Sequence, residues 1–308
     1  MPGRKARDIW KPMGRVFCYP RIGRAGLGNC MLPWARAVVF AQKNSLPMLA
    51  PQWVQPRLGA VLRREKVTRF YLNEFTNEGY LKGFRKWLIL NRASKVSEDE
   101  FAQMMSGGCK TACRSTVIMF EGLRNYFRDL WHHHEVVREE LYKIVAPQIL
   151  QKVALIREPY IAMHVRRGDI IVPGRTEAQL LADKRYTPLS WFVAAAKAIR
   201  QDGGWRDLPI YVVSDGHEHE LTGLLAVPNC RLVTLGTAIG DMLLLAKARL
   251  LFASAHSTFS MWGSYLGRVP ALYYPGKMDE NVFPPGSVIF EGEWSAGQPL
   301  PKAEMLKS

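Results

Sequence analysis

Tyr160-Ile161-Ala162-Met163-His164-Val165 runs directly into Arg166-Arg167-Gly168-Asp169, and the reading of this stretch decides the fold. An apolar, partly β-branched run of strand length that ends on charge is expected of a buried strand delivering polar residues at its end. Similar runs recur downstream at Ile210–Ser214, Arg231–Leu235, Leu250–Ala253 and Ala271–Tyr274. Helical spacing separates them. Thr187 and Pro188 suit an N-cap and a first helical position, Phe192, Ala195, Ala196 and Ile199 share one face, and Asp202-Gly203-Gly204 ends the helix. Phe259, Trp262, Gly263 and Leu266 form a second helical face. Alternation of this kind predicts a parallel sheet covered by helices on both sides, a Rossmann-like α/β unit.

The first half opens in the same way. Val16–Tyr19 reads as a strand, Gly23-Arg24-Ala25-Gly26-Leu27-Gly28-Asn29 as a turn, and Met31, Trp34, Ala35, Val38 and Val39 as one helix face, with Pro33 expected in the first turn. Residues 60–120 mix short apolar runs with basic clusters. A further helix carries Val137, Leu141, Ile144 and Val145. The boundary is expected near 150–158, which divides the chain into an N-terminal Rossmann-like domain, 1–152, and a C-terminal one, 153–308. The end after Trp294 reads as loosely attached.

Ligands of open parallel sheets bind beyond the carboxyl ends of the strands. Three strand ends there supply His164, Arg166, Arg167 and Asp169; Ser214 and Asp215; and His256, Ser257, Thr258 and Ser260. Paired arginines offer permanent charge and bidentate donors to phosphate oxygens. A Ser/Thr-rich helix start adds backbone N–H donors. Asp215, an acceptor, suits the N–H edge of guanine. These types together point to a nucleoside diphosphate. An ion-pair network of the arginines with Asp169 and Glu177 is the ordinary alternative, and capping is the ordinary role of Ser257 and Thr258. Gly26, Gly28 and Asn29 form a turn that could equally approach a phosphate. No Asp-x-Asp pair and no G-x-x-x-x-G-K-[ST] loop is present, so neither a P-loop NTPase nor a transferase holding its diphosphate through paired aspartates is expected. His132-His133-His134 and the Cys109/Cys113 pair lack a second metal-ligand cluster, and a solvated helix surface is the expected setting of the histidines.

Composition bounds the rest. The chain has 308 residues, 48% of them hydrophobic, and a formal charge of +15. Residues 1–150 hold 25 Lys/Arg against 12 Asp/Glu, a net of +13, and residues 151–308 hold 17 against 15, a net of +2. A basic half suits a polyanion or an anionic membrane, or serves as a solvated surface. Five cysteines without disulfide-framework spacing fit reduced thiols. The basic start, MPGRKARDIW, lacks the apolar core of a secretory signal.

His164-Val165-Arg166-Arg167-Gly168-Asp169 resembles the H-x-R-R-G-D motif of the α-1,2-fucosyltransferases (glycosyltransferase family 11) and of their α-1,6 and protein O-fucosyltransferase relatives. Gly26-Leu27-Gly28-Asn29-Cys30-Met31 is similar to that family's G-L-G-N-Q-M, and Ser257-Thr258-Phe259-Ser260-Met261-Trp262 to its S-T-F-S-W-W. Ser214-Asp215 and Asp241-Met242-Leu243-Leu244-Leu245 stand where it has S-D-D and D-L-Y-L-M. Cys30, Ile170 and Gly216 depart from the pattern, and the family's G-Y-F-Q-S is altered in Glu121-Gly122-Leu123-Arg124-Asn125-Tyr126-Phe127. The resemblance implies a GT-B-like fold, two Rossmann-like domains facing across a cleft. It also implies inverting, metal-independent transfer of L-fucose from GDP-β-L-fucose to a glycan hydroxyl, with no cofactor. In that reading Arg166, Asp169 and Glu177 are the catalytic candidates. His164, Arg166, Arg167, Asp215, Ser257, Thr258, Ser260, Gly26, Gly28 and Asn29 bind the donor. Glu121, Arg124 and Tyr126 are the acceptor candidates. The acceptor expected is a galactose-type residue of a bacterial surface glycan, anionic or lipid-linked. The expected setting is cytoplasmic, peripheral to an anionic membrane, with no nucleic-acid partner. A nucleic-acid-binding protein using the basic half, and a non-catalytic nucleotide- or glycan-binding member of the same fold, are the competing readings.

Overall fold

The computed structural model describes residues 15–54, 70–106, 115–168, 170–171, 174–278 and 280–302. Asp169, Cys109, Cys113 and the basic start lie outside the described residues.

In the first half, β1 (Val16–Pro20) leads through the glycine turn into α1 (Leu27–Asn44). Then follow α2 (Gly83–Arg92), β2 (Ser94–Ser97), α3 (Glu98–Ser106) and β3 (Thr116–Phe120). The three strands pair in parallel in the order β1-β3-β2, and parallel bridges Cys18–Met48 and Leu49–Leu81 extend the far side of β1. Because α1 begins at Leu27, Pro33 falls in its second turn rather than its first, which removes the N–H that would bond the Asn29 carbonyl. α4 (His134–Ile144) and α5 (Pro147–Leu155) follow. Only His134 of the histidine run is helical; His133 is the N-cap. A cut between 152 and 153 would fall inside α5.

The second half carries β4 (Ile161–Val165), α6 (Glu177–Ala182), α7 (Leu189–Gln201), β5 (Ile210–Ser214), α8 (Thr222–Leu225) and β6 (Cys230–Leu232). After these come α9 (Ala238–Leu245), β7 (Leu250–Ala253), α10 (Thr258–Gly267), β8 (Ala271–Tyr273) and β9 (Glu291–Glu293). All six strands are parallel, in the order β6-β5-β4-β7-β8-β9. Every residue of β4 is buried, as a central strand covered on both faces requires. Ile161, Met163 and Val165 pack with Trp191, Phe192 and Ala195 of α7, while Ala162 packs with Leu244 and Leu245 of α9. The chain winds outward from β4 to β6, then returns to lay β7 on β4's other side. That reversal is the topological switch point of a doubly wound sheet.

Two local expectations are corrected. Thr187 is not the cap of α7, whose N-cap is Pro188; its buried Oγ1 accepts the Ala255 N–H at 2.8 Å and so ties the entry of α7 to the loop after β7. The segment after Trp294 is pinned as far as Pro301, for Leu300 is buried in the core of the second sheet and Trp205 Nε1 donates to the Pro301 carbonyl.

Candidate functional site

The switch point places the ends of β4 and β7 side by side, and a short chain of hydrogen bonds locks them. Ser254 Oγ donates to the His164 carbonyl at 2.6 Å and accepts the Arg166 N–H at 2.9 Å. Asp215, from the end of β5, accepts the N–H groups of Arg167 (2.6 Å) and Gly168 (3.0 Å) on one oxygen, Oδ1. Asp215 therefore shapes the arginine turn, a duty distinct from the guanine contact expected of it. Ser214 Oγ adds a bond to the Val165 carbonyl.

Arg167 is 4% exposed, and among the described residues its Nε and Nη2 have no hydrogen-bond partner. Its stem crosses Gly216, where an added Cβ would lie 2.7 Å from Arg167 Cβ, and its guanidinium lies 5.6 Å from the centre of the Tyr186 ring. An aspartate at 216 would collide with that stem, so the glycine at this position and the inward arginine belong together. Burying a guanidinium is costly, and the turn is built to hold it there. Further cations stand near His256. Burial, then Lys184 and Lys277, and to a lesser degree Arg166, hold the pKa of His256 below its ordinary value against the pull of Asp183. His256 is also in the left-handed region, at φ 46°, a conformation that functional loops retain more often than others.

His164 and Ser260 sit deeper than a ligand-contacting role requires. Both are buried, Nδ1 and Oγ lie 2.7 Å apart, and the His164 ring tilts against Phe259 with centroids 5.0 Å apart. Burial is the main cause that pushes the His164 pKa down to about 4, with Asp215 opposing and Arg166 assisting, so the ring is neutral near pH 7. Ser257 caps α10 by accepting the Ser260 N–H, and Thr258 Oγ1 donates to Asn29 Oδ1 at 2.6 Å. Gly28 lies so close that a Cβ there would be 2.7 Å from the Phe259 nitrogen, and Trp262 Nε1 donates to the Gly28 carbonyl at 2.8 Å. Gly28 and Asn29 thus serve a seam between α1 and α10, while Gly26 has nothing within 4 Å of an added Cβ. One consequence is chemical. The N-termini of α1, which follows β1, and of α10, which follows the central strand β7, meet at this seam, and the dipoles of both helices favour an anion there.

The remaining candidates stand apart. Glu177 is exposed in the first turn of α6 and makes no hydrogen bond or ion pair with Arg166 or Arg167. Glu121 pairs with Arg21, Arg124 with Asp99, and Tyr126 adopts φ 45° half-buried against the core. Their loop is held by a residue that sequence reasoning passed over. Buried Arg36 pairs with Glu98 and donates to the carbonyls of Glu121 (2.6 Å), Gly122 (3.3 Å) and Arg124 (3.4 Å). Phe127 ends the loop against Trp262 of α10, which sets it beside the helix that lines the switch point. Ser254 and Tyr186 were likewise unforeseen; a lone serine or tyrosine carries no spacing signal. Among the described residues no group of three or more His, Cys, Asp or Glu could hold a metal ion.

No protein-family model matches the chain, and no curated protein matches it. Its fold is similar to solved structures of fucosyltransferases. The fucosyltransferase NodZ from Bradyrhizobium superposes with a TM-score of 0.53 at 16% identity over 86% of this chain and 97% of that one. NodZ α-1,6-fucosyltransferase co-crystallised with GDP gives 0.51 at 16% identity over 85% and 96%. POFUT1 in complex with GDP-fucose gives 0.52 at 12% identity over 86% and 98%. Identities this low establish the α/β architecture of parallel sheets and helices.

Proposed function

We propose that the chain is a glycosyltransferase that moves L-fucose from GDP-β-L-fucose to a hydroxyl of a glycan acceptor. The observation that carries this reading is Arg167, a buried guanidinium with two nitrogens unpartnered among the described residues, at the switch point of a doubly wound sheet. The solved structures of similar fold are fucosyltransferases, two of them holding GDP or GDP-fucose, which supports the choice of donor. The resemblance of His164–Asp169, Gly26–Met31 and Ser257–Trp262 to fucosyltransferase motifs supports it independently.

In this mechanism the bond between the sugar C1 and the β-phosphate oxygen breaks, leaving an oxocarbenium-like sugar and new negative charge on GDP. Arg166, Arg167 and the N–H groups at the start of α10 stabilise that charge without reorganising, because Asp215 and Ser254 have already fixed the arginine turn. The acceptor hydroxyl attacks C1 from the opposite face, giving inversion, and its proton passes to a carboxylate or water. Asp169 and Glu177 are the carboxylates proposed for that role. The loop 121–127, held by Arg36, is the proposed acceptor side, with an α-1,2 bond to a galactose-type residue as the proposed product. Metal independence is part of the proposal.

Calorimetry with GDP, UDP, ADP and GDP-fucose in the presence of EDTA tests the donor half. Guanine-selective binding that is lost in Arg166→Ala is expected. Equal affinity for all three diphosphates, or none, would overturn it. Donor binding without transfer to any acceptor would leave a non-catalytic member of the fold.

A further inference from the structure

α2 reads Gly-Phe-Arg-Lys-Trp-Leu-Ile-Leu-Asn-Arg and is the outer layer of the first sheet, yet none of its residues is buried. Ile89 and Leu90, on its inner side, contact the small cluster of Phe17, Leu49 and Val117. The opposite side presents Phe84, 72% exposed, and Trp87, 57% exposed. Their rings stack on one another, centroids 5.5 Å apart at 22°. Around them residues 82–95 contain five cations, Lys82, Arg85, Lys86, Arg92 and Lys95, and no acidic residue. A ten-residue helix is about 15 Å long, too short to span a bilayer. No helix among the described residues is long and apolar enough to cross a membrane.

We propose that α2 is an interfacial anchor that docks the protein on an anionic phospholipid surface, with Phe84 and Trp87 entering the headgroup boundary and the surrounding cations pairing with lipid phosphates. The charge selects this occupant. A second copy would bring like-charged faces together, which charge repulsion opposes. A nucleic acid needs aromatic faces open to receive bases, and the mutual stacking of Phe84 and Trp87 takes up one face of each ring. Aromatic rings that are exposed together on a basic helix lying flat are the chemistry of the membrane interface. Lys86 marks the direction of the anchor. Its Nζ lies 4.9 Å from the centre of the Tyr19 ring, near the carboxyl end of β1, so a docked chain would hold that strand end toward the lipid. The inference does not depend on the transferase reading, since vesicle binding requires no donor or acceptor.

Co-sedimentation of the full chain with vesicles of phosphatidylcholine alone and of phosphatidylcholine with phosphatidylglycerol tests it. Binding to the anionic vesicles only, weakened by salt, is expected. The double variant Phe84→Ala/Trp87→Ala should lose at least about tenfold in partitioning, and Lys82→Glu/Arg85→Glu should abolish it. Both pairs are exposed, and unchanged circular dichroism and melting temperature verify that each variant folds. Arg157→Glu/Arg268→Glu, which makes the same change of charge at the amino edge of the second sheet, should bind as the parent does. Failure of the parent to bind anionic vesicles, or parent-like binding by the aromatic variant, overturns the proposal. So does tighter binding to single-stranded RNA at the same salt that is lost in the same variants, which would assign α2 to nucleic acid.

Discussion

Arg167 combines two demands that pull against each other. Folding must bury a guanidinium and leave two of its nitrogens unpaired among the described residues, with the Tyr186 ring as partial compensation. In the proposed function an arriving diphosphate supplies acceptors for them. Arg167→Met keeps the stem over Gly216 and removes the charge. It should leave the unliganded protein as stable as the parent or more stable by about 1–3 kcal/mol, while GDP affinity falls at least a hundredfold, roughly the worth of a charge-assisted pair. Thermal melts with and without GDP distinguish this from a structural arginine, whose loss would lower the melting temperature in both. The place of the arginine pair at a strand end was legible in the sequence because the apolar run before it marks the buried strand β4. The duties of Asp215 and Ser260 were not. Both are polar residues near the same strand ends, and only coordinates show that Asp215 Oδ1 takes two backbone N–H groups and that Ser260 is buried against His164.

Glycines 26 and 28 look alike in sequence and differ at the scale of elements. Gly28 permits α1 and α10 to meet end to end. Gly28→Ala would drive a methyl to within 2.6 Å of Thr258 Oγ1 and 2.7 Å of the Phe259 backbone nitrogen, and should cost about 1–3 kcal/mol as overpacking. Gly26→Ala, with open space and φ −57°, should leave stability within about 0.5 kcal/mol. Denaturant titration of the two variants checks the contrast, and equal losses would refute the assignment of the seam. Helix ends also explain a feature that invites misreading. A concavity of about 660 Å³ at the amino edge of the second sheet is ringed by Arg157, Lys247, Arg249 and Arg268. Arg157, Lys247 and Arg268 follow the C-termini of α5, α9 and α10, where cations complement the helix dipoles. Lys247 Nζ donates to the carbonyls of Val153 and Ile156. Their charge is accounted for by the fold, unlike that of Arg167. Strands β4, β5, β7 and β8 were legible because both their faces are buried. β2, Ser-Lys-Val-Ser, is a short edge strand with three exposed residues and shows no such run.

Sequence periodicity reports that a face is buried, never against what, and this is where the expectation of two separate halves meets its limit. Each sheet lies wholly on its own side of residue 153, but one core cluster joins Trp34, Phe120, Leu141 and Ile149 to Met242, Trp262, Tyr265 and Phe283. Polar pins cross the same seam. Glu74 Oε2 accepts the Ile239 N–H, Tyr265 Oη donates to the Leu130 carbonyl, and His134 Nε2 bonds the Leu266 carbonyl. The molecule should therefore unfold in one calorimetric transition, and two resolved transitions would defeat this reading. That single transition makes a global pH test meaningful. Burial depresses the His164 pKa from 6.5 to about 4. Between those values the unfolded chain binds a proton that the folded one lacks, so stability is lost as pH falls. Burial raises the Glu291 carboxyl from 4.5 to about 7, against the N–H groups of Phe283 and Val282. Between those values the folded chain keeps a proton that the unfolded one has released, so stability is lost as pH rises. Each effect is worth on the order of 3 kcal/mol across its window, and their signs oppose between pH 4.5 and 6.5. With respect to these two groups the parent's melting temperature should be nearly flat there. His164→Asn should unmask a fall in stability toward neutral pH, and Glu291→Gln a rise. Identical slopes in the parent and both variants would show that neither group is held as its burial implies.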